Sequence, residues 1–241
     1  MRNLLILSCF LFCFFIGKSQ DLTAEDLLTK SIAYHDPDGV WGSMNGVFTV
    51  RMDTPDRPAR ISEITINQES GLFRLYVEQN GATKTYEVSG SKCTLLLNGK
   101  ETFSDAEAEE QGLNCERARM YRDYYSYLYG LPMKLRDKGT KLDPAVQKKT
   151  FKGKAYLVLK VTYDEAVGKD IWYFYFDPVT YAMEVYQFFH DESKNDGEYI
   201  LLKEIQNVSG IKMPKVRAWY YNKDDKYLGT DTLTKTSPLK D

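Results

Sequence analysis

Residues 171–176 are six consecutive apolar side chains, Ile171-Trp172-Tyr173-Phe174-Tyr175-Phe176. They run into Asp177-Pro178-Val179-Thr180, and the apolar pattern returns at Met183, Val185, Phe188 and Phe189. This pattern predicts a β-hairpin with two apolar faces. A strand buried on both faces needs cover on each side of its sheet, so one face should meet the core and the other a helix or a ligand. The pattern leaves open which residues face which way, because a one-residue change of register swaps the faces.

Elsewhere the periodicity predicts two strand-rich stretches separated by helices. Thr23 with Asp26 forms a capping box, Leu22 and Leu27 a hydrophobic staple, and Leu27, Leu28, Ser31, Ile32 and His35 one helical stripe. Asp36-Pro37-Asp38-Gly39 ends that helix. Strands are expected at 46–53, 59–67, 72–79, 83–89 and 92–97, with hairpin turns at Asn80-Gly81 and Asn98-Gly99. Ser104 and Glu107 open a short acidic helix ending near Gly112, and Asn114 caps a longer one over 115–129. Residues 135–145 read as an exposed connection. Strands resume at 146–151, 155–164, 170–177, 182–190, 198–207, 211–221 and 227–234. The fold class is therefore mainly β, about 11–12 antiparallel strands interrupted once by a helical insertion.

The first residues change the picture. Met1-Arg2-Asn3, an apolar run from Leu4 to Ile16, and Gly17-Lys18-Ser19 read as a signal peptide over 1–19, cleaved between Ser19 and Gln20. Residues 20–241 are then expected to form one domain. Removing Arg2 and Lys18 lowers Lys+Arg from 32 to 30 against 34 acids, a net charge of −4, which gives no reason to expect nucleic acid as a partner. No later apolar run is long enough for a transmembrane helix. Cys93 and Cys115 remain after cleavage, either as a disulfide or as two separate buried thiols.

The order of elements resembles the superfamily of periplasmic lipoprotein carriers, as does the hairpin Tyr175-Phe176-Asp177-Pro178-Val179-Thr180-Tyr181-Ala182-Met183. Three stretches resemble a Bacteroidota family of exported proteins, a domain of unknown function with that fold: Ala33-Tyr34-His35-Asp36-Pro37, residues 124–135 from Tyr124-Tyr125-Ser126 to Met133-Lys134-Leu135, and Leu228-Gly229-Thr230-Asp231. The resemblance implies a single sheet curled into an incomplete barrel, covered by two or three helices that act as a lid. It carries no known reaction.

Candidate chemistry is sparse. With only His35 and His190 present, no His-x-x-x-His or Cys-x-x-Cys spacing exists, and neither a metal nor a cofactor is expected. The expected function is a non-enzymatic, periplasmic or secreted protein that holds a lipid acyl chain or another apolar small molecule. Tyr121, Tyr124, Tyr125, Leu128 and Met133 from the helical insertion, with Trp172, Phe174 and Phe176 from the apolar strand, are the candidate ligand-binding residues. The alternatives are a structural scaffold with a filled barrel, contacting envelope proteins, and a hydrolase using His35 with nearby carboxylates.

Overall fold

The computed structural model describes residues 22–79 and 81–239. The expected signal peptide, its Ser19–Gln20 cleavage point and Asn80 of the first hairpin turn lie outside the described residues. Helix α1, Ala24–His35, starts at Thr23, whose side chain accepts from the Asp26 N–H at 3.1 Å. Its buried stripe is Ala24, Leu27, Leu28, Ser31 and His35. After a 3₁₀ turn at Trp41–Ser43, five strands follow: β1 (Asn45–Thr54), β2 (Arg57–Asn67), β3 (Leu72–Gln79), β4 (Ala82–Ser89) and β5 (Lys92–Leu97). Burial alternates along them as a half-buried sheet requires: Phe73, Leu75 and Val77 point inward from β3, and Arg74 and Tyr76 do not.

Two helices interrupt the strands. The short α2, Asp105–Gln111, has the capping box of Ser104 and Glu107 and buries none of its residues. The longer α3, Cys115–Gly130, is capped by Asn114, which accepts from the Arg117 N–H at 2.8 Å. It buries Ala118, Tyr125, Leu128, Tyr129 and Gly130. A Cβ at Gly130 would lie 2.3 Å from the Trp41 ring, so a larger residue there would push Trp41 away.

The remaining strands are β6 (Thr140–Leu142), β7 (Gln147–Phe151), β8 (Lys154–Tyr163), β9 (Ile171–Phe176), β10 (Met183–Phe189), β11 (Glu198–Val208), β12 (Ile211–Tyr221) and β13 (Tyr227–Ser237). The sheet therefore has 13 strands, against the 11–12 expected. The added strand is β6, which lies in the stretch read as an exposed connection. That stretch is also less exposed than expected: a 3₁₀ turn at Met133–Arg136 buries Leu135.

All pairs are antiparallel, in the order β5-β4-β3-β2-β1-β13-β12-β11-β10-β9-β8-β6, with β7 also on β8. The first and last strands meet at the middle of the sheet. The sheet is not closed into a barrel, and it curls around α3. Tyr86 of β4, Phe73 of β3, Phe48 of β1 and Trp172 of β9 contact Tyr121, Tyr125, Tyr129 and Tyr127 respectively, with ring centroids 4.6–6.4 Å apart.

The apolar strand is buried on both faces, and the structure distinguishes them. Trp172, Phe174 and Phe176 join the main core beneath α3. Tyr173 and Tyr175 point outward into a second cluster with Tyr156, Val158 and Val185. Among the described residues no α-helix contributes to that cluster, and the 3₁₀ turn Glu192–Lys194 reaches it only through Glu192, which accepts from the Tyr173 hydroxyl. Phe151 of β7 packs 5.1 Å from Tyr175, and the Lys149 ammonium lies 4.0 Å above the Tyr173 ring.

Candidate functional site

The concave face is filled unevenly. The N-terminal half of α3 is pressed against β3–β5, where a disulfide joins Cys115 to Cys93 of β5 with a Cα separation of 5.9 Å. Along the C-terminal half Tyr129 packs on Phe48 of β1, and beside that contact, toward β9–β13, lies a cleft of about 440 Å³. Its walls are Tyr124, Tyr127 and Leu128 of α3, Trp172 and Phe188 of β9 and β10, and Trp219 and Leu228 of β12 and β13. Met52 and Gly229 complete it, and Glu198 is its only charged residue.

Register explains the grouping. Trp172 is paired with Phe188, and Phe188 with Glu198, so these three lie in one cross-strand row on one face. One row along, Phe174, Tyr186, Ile200 and Trp219 are paired in the same way. Among the described residues Glu198 makes no hydrogen bond or ion pair with another side chain. Burial raises its pKa above the usual carboxylate range, opposed by the nearby His190. The Tyr124 hydroxyl is pushed well up, first by burial and then by the Asp231 carboxylate.

A second opening, about 520 Å³, shares Tyr124, Tyr127 and Trp172 with the first. It is more polar, with Asp123, Lys134, Asp137 and Asp170 in its walls. The Tyr127 and Tyr163 hydroxyls are hydrogen-bonded to each other at its side.

The candidate residues separate into three groups. Tyr124, Leu128 and Trp172 line the apolar cleft. Tyr121 and Tyr125 line a different, smaller pocket on the side of α3 that faces β2–β4. Phe174, Phe176 and Met133 are buried in the core, with exposures of 0%, 0% and 7%, and line neither opening. Sequence reasoning missed Met52, Phe188, Glu198, Trp219 and Leu228. The signal for Glu198 was its parity with Ile200 and Leu202, which places a carboxylate on the apolar face of β11.

His35 is not available as a catalytic base, which overturns the hydrolase alternative built on it. It is fully buried, with Nδ1 2.6 Å from the Lys212 carbonyl and Nε2 accepting from the Met183 N–H at 2.9 Å. Both nitrogens are thus used, Nδ1 as the donor, and burial lowers the pKa to about 4. The residue pins α1 to β10 and β12. His190 lies on the surface, 2.7 Å from Asp170. Among the described residues no group of three or more His, Cys, Asp and Glu side chains is placed to hold a metal ion. No helix among them is long and apolar enough to cross a membrane.

An open antiparallel sheet wrapped around one long helix, with an apolar cleft at that helix's C-terminal end, defines the class of protein. The chain belongs to the family of unknown function DUF6503, whose profile matches residues 1–236. No match was found among curated proteins. Of solved structures, the LolA superfamily protein NE2245 from Nitrosomonas europaea superposes with a TM-score of 0.50 at 10% identity, over 91% of this chain and 94% of that one. A Vibrio parahaemolyticus domain named for outer membrane lipoprotein sorting gives 0.49 at 10% identity, over 88% and 91%. A DUF1329 family protein from Desulfovibrio piger gives 0.49 at 7% identity, over 89% and 92%. The first of these likenesses establishes a LolA-like fold.

Proposed function

We propose that this is an exported, non-enzymatic binding protein that holds an acyl chain or another apolar ligand between the C-terminal half of α3 and the concave face of the sheet. The supporting observation is the cleft of about 440 Å³ lined by Tyr124, Leu128, Trp172, Phe188, Trp219 and Leu228. Its volume falls within the range of small-molecule sites, and its lining is apolar with few polar groups, as in such sites. Each methylene taken from water there contributes about 0.8 kcal/mol, so a long chain binds without a charged contact. The fold likeness to the LolA superfamily agrees with a carrier and identifies no cargo. Under this reading residues 1–19 direct export, the periplasm is the working compartment, and envelope proteins are the candidate donors or acceptors of cargo.

The competing reading is a scaffold without a ligand. It draws support from the filled half of the concave face, where α3 covers β3–β5. Native mass spectrometry of the protein purified without detergent separates the two. Co-purifying lipid mass that disappears in Tyr124→Asp or Leu228→Asp, with circular dichroism unchanged, supports the carrier. An unliganded mass that stays unliganded after incubation with fatty acids and phospholipids overturns it and favours the scaffold.

A further inference from the structure

Under the first turns of α3 the molecule gathers positive charge, and the nearby Asp231, whose carboxyl feels the Arg60 charge, lies outside the pocket's lining. Arg60 of β2, Lys84 of β4 and Arg117 of α3 line one pocket of about 40 Å³, with Tyr86, Tyr121 and Tyr125 in its wall. None of its lining residues is acidic. Among the described residues none of the three cations forms an ion pair, although 14 such pairs exist elsewhere. The pocket shares no residue with the apolar cleft.

The convergence is built by the fold. Ser62, Val77 and Lys84 are cross-strand partners, so they share the concave face. Arg60 is the next residue of that face on β2, and Tyr86 the next on β4. Arg117 is seated by Gly112, which has φ +64° and where a Cβ would lie 1.9 Å from the Arg117 Nη1. Any side chain at 112 would displace the guanidinium. The Lys84 ammonium donates to the Gln111 carbonyl at 3.4 Å, and Arg60 Nη2 to the Tyr125 hydroxyl at 3.4 Å. Arg60 Nε is buried with no partner. Burial lowers the Lys84 pKa, and the charges of Arg117 and Arg60 lower it further.

Three like charges held together in a partly desolvated pocket repel one another, and a buried N–H without an acceptor adds to the cost. A bound anion relieves both. The space exceeds the roughly 10–15 Å³ that one water needs. Guanidinium forks match the paired oxygens of a phosphate, and a charge near −2 answers three cations better than a single carboxylate does. We propose that Arg60, Lys84 and Arg117 form a binding site for a phosphate group, separate from the apolar cleft. Inorganic phosphate and a phospholipid headgroup both present this chemistry.

The test is calorimetric titration of the purified protein with sodium phosphate at constant ionic strength set by chloride. A parallel arm uses dihexanoyl phosphatidate below its micellar concentration. Saturable binding is expected, with shifts of the Arg60 and Arg117 side-chain N–H resonances. Arg117→Gln, at an exposed position, should weaken binding at least about tenfold with circular dichroism unchanged. Lys84→Gln is the second variant. Equal binding in the two arms assigns free phosphate as the ligand. Tighter binding of the phosphatidate, still lost in Arg117→Gln, assigns the lipid headgroup. Binding that both variants leave unchanged, or none in either arm up to about 10 mM, overturns the proposal. An acyl-chain probe in the apolar cleft should bind Arg117→Gln as it binds the parent, so failure here is distinguishable from failure of the carrier reading.

Discussion

The two ends of α3 meet the same sheet and do different things. At the N-terminal end a disulfide, a small cationic pocket and the edge-on contact of Tyr121 with Tyr86 hold the helix down on β3–β5. At the C-terminal end Tyr124, Tyr127 and Leu128 border an apolar space walled on the sheet side by Trp172, Phe188 and Trp219. Amino-acid type alone does not separate them, because tyrosines occupy both ends. The separation comes from what lies opposite: small gaps among Leu75, Val77 and Tyr86 on one side, and Trp172, Phe188 and Trp219, from two adjacent cross-strand rows, around an opening on the other. One end anchors, and the other borders the cleft in which we propose that a ligand sits.

The largest expected effect tests this contrast directly. Phe73→Ala, under the anchored end, should cost about 3–5 kcal/mol in urea denaturation, because Phe73 is buried against Tyr125. Phe188→Ala, at the wall of an existing opening, should cost clearly less, because the cleft is already open there. Equal losses would erase the distinction between the two ends.

Replacing Cys93 and Cys115 together with Ala breaks the anchor covalently. The bridge spans 22 residues of sequence, and its removal should cost about 3 kcal/mol. Apolar-probe binding in the far cleft should change less than the unfolding midpoint does.

Acid should loosen α1 from β10 and β12. His35 is neutral when folded, with a pKa lowered by burial from 6.5 to about 4. The unfolded chain therefore binds a proton first as pH falls. Stability is full above about pH 6.5 and is lost toward pH 4, by about 3 kcal/mol from this residue. A variant without the imidazole, His35→Asn, should be less stable at pH 7 and show a flatter Tm profile between pH 7 and 4.

The smallest effect sharpens the open end. The Glu198 pKa is raised by burial, so its neutral form appears at a higher pH than for an exposed glutamate. Affinity for an uncharged apolar ligand should rise as pH falls through that region, and Glu198→Gln should remove the dependence. A fluorescence titration of an acyl probe across pH checks both.

Much of the scaffold was readable locally. Thr23 with Asp26 and Ser104 with Glu107 cap their helices as their spacing predicts. Asn98 and Gly99 take the positive φ values, 50° and 77°, that their dipeptide favours. β6 escaped because three residues, Thr140-Lys141-Leu142, are too short to show alternation. The facing of β9 was open because all six residues are apolar. Its chemistry held a usable hint: the residues that turn outward are Tyr173 and Tyr175, whose hydroxyls reach Glu192 and Gln187, while Trp172, Phe174 and Phe176 turn in. The cleft was readable only in part, through Tyr124, Leu128 and Trp172, and the cationic pocket not at all. Phe188, Trp219 and Leu228, like Arg60, Lys84 and Arg117, are distant in sequence and meet only through strand register.

The chain has three tryptophans, and two of them, Trp172 and Trp219, border the same opening, while Trp41 packs against Gly130. The molecule thus carries its own optical reporter. Displacing water from around these two indoles should shift their emission to shorter wavelength, so occupancy is readable from unlabelled protein in a cuvette. Trp41→Phe removes the background without touching the cleft.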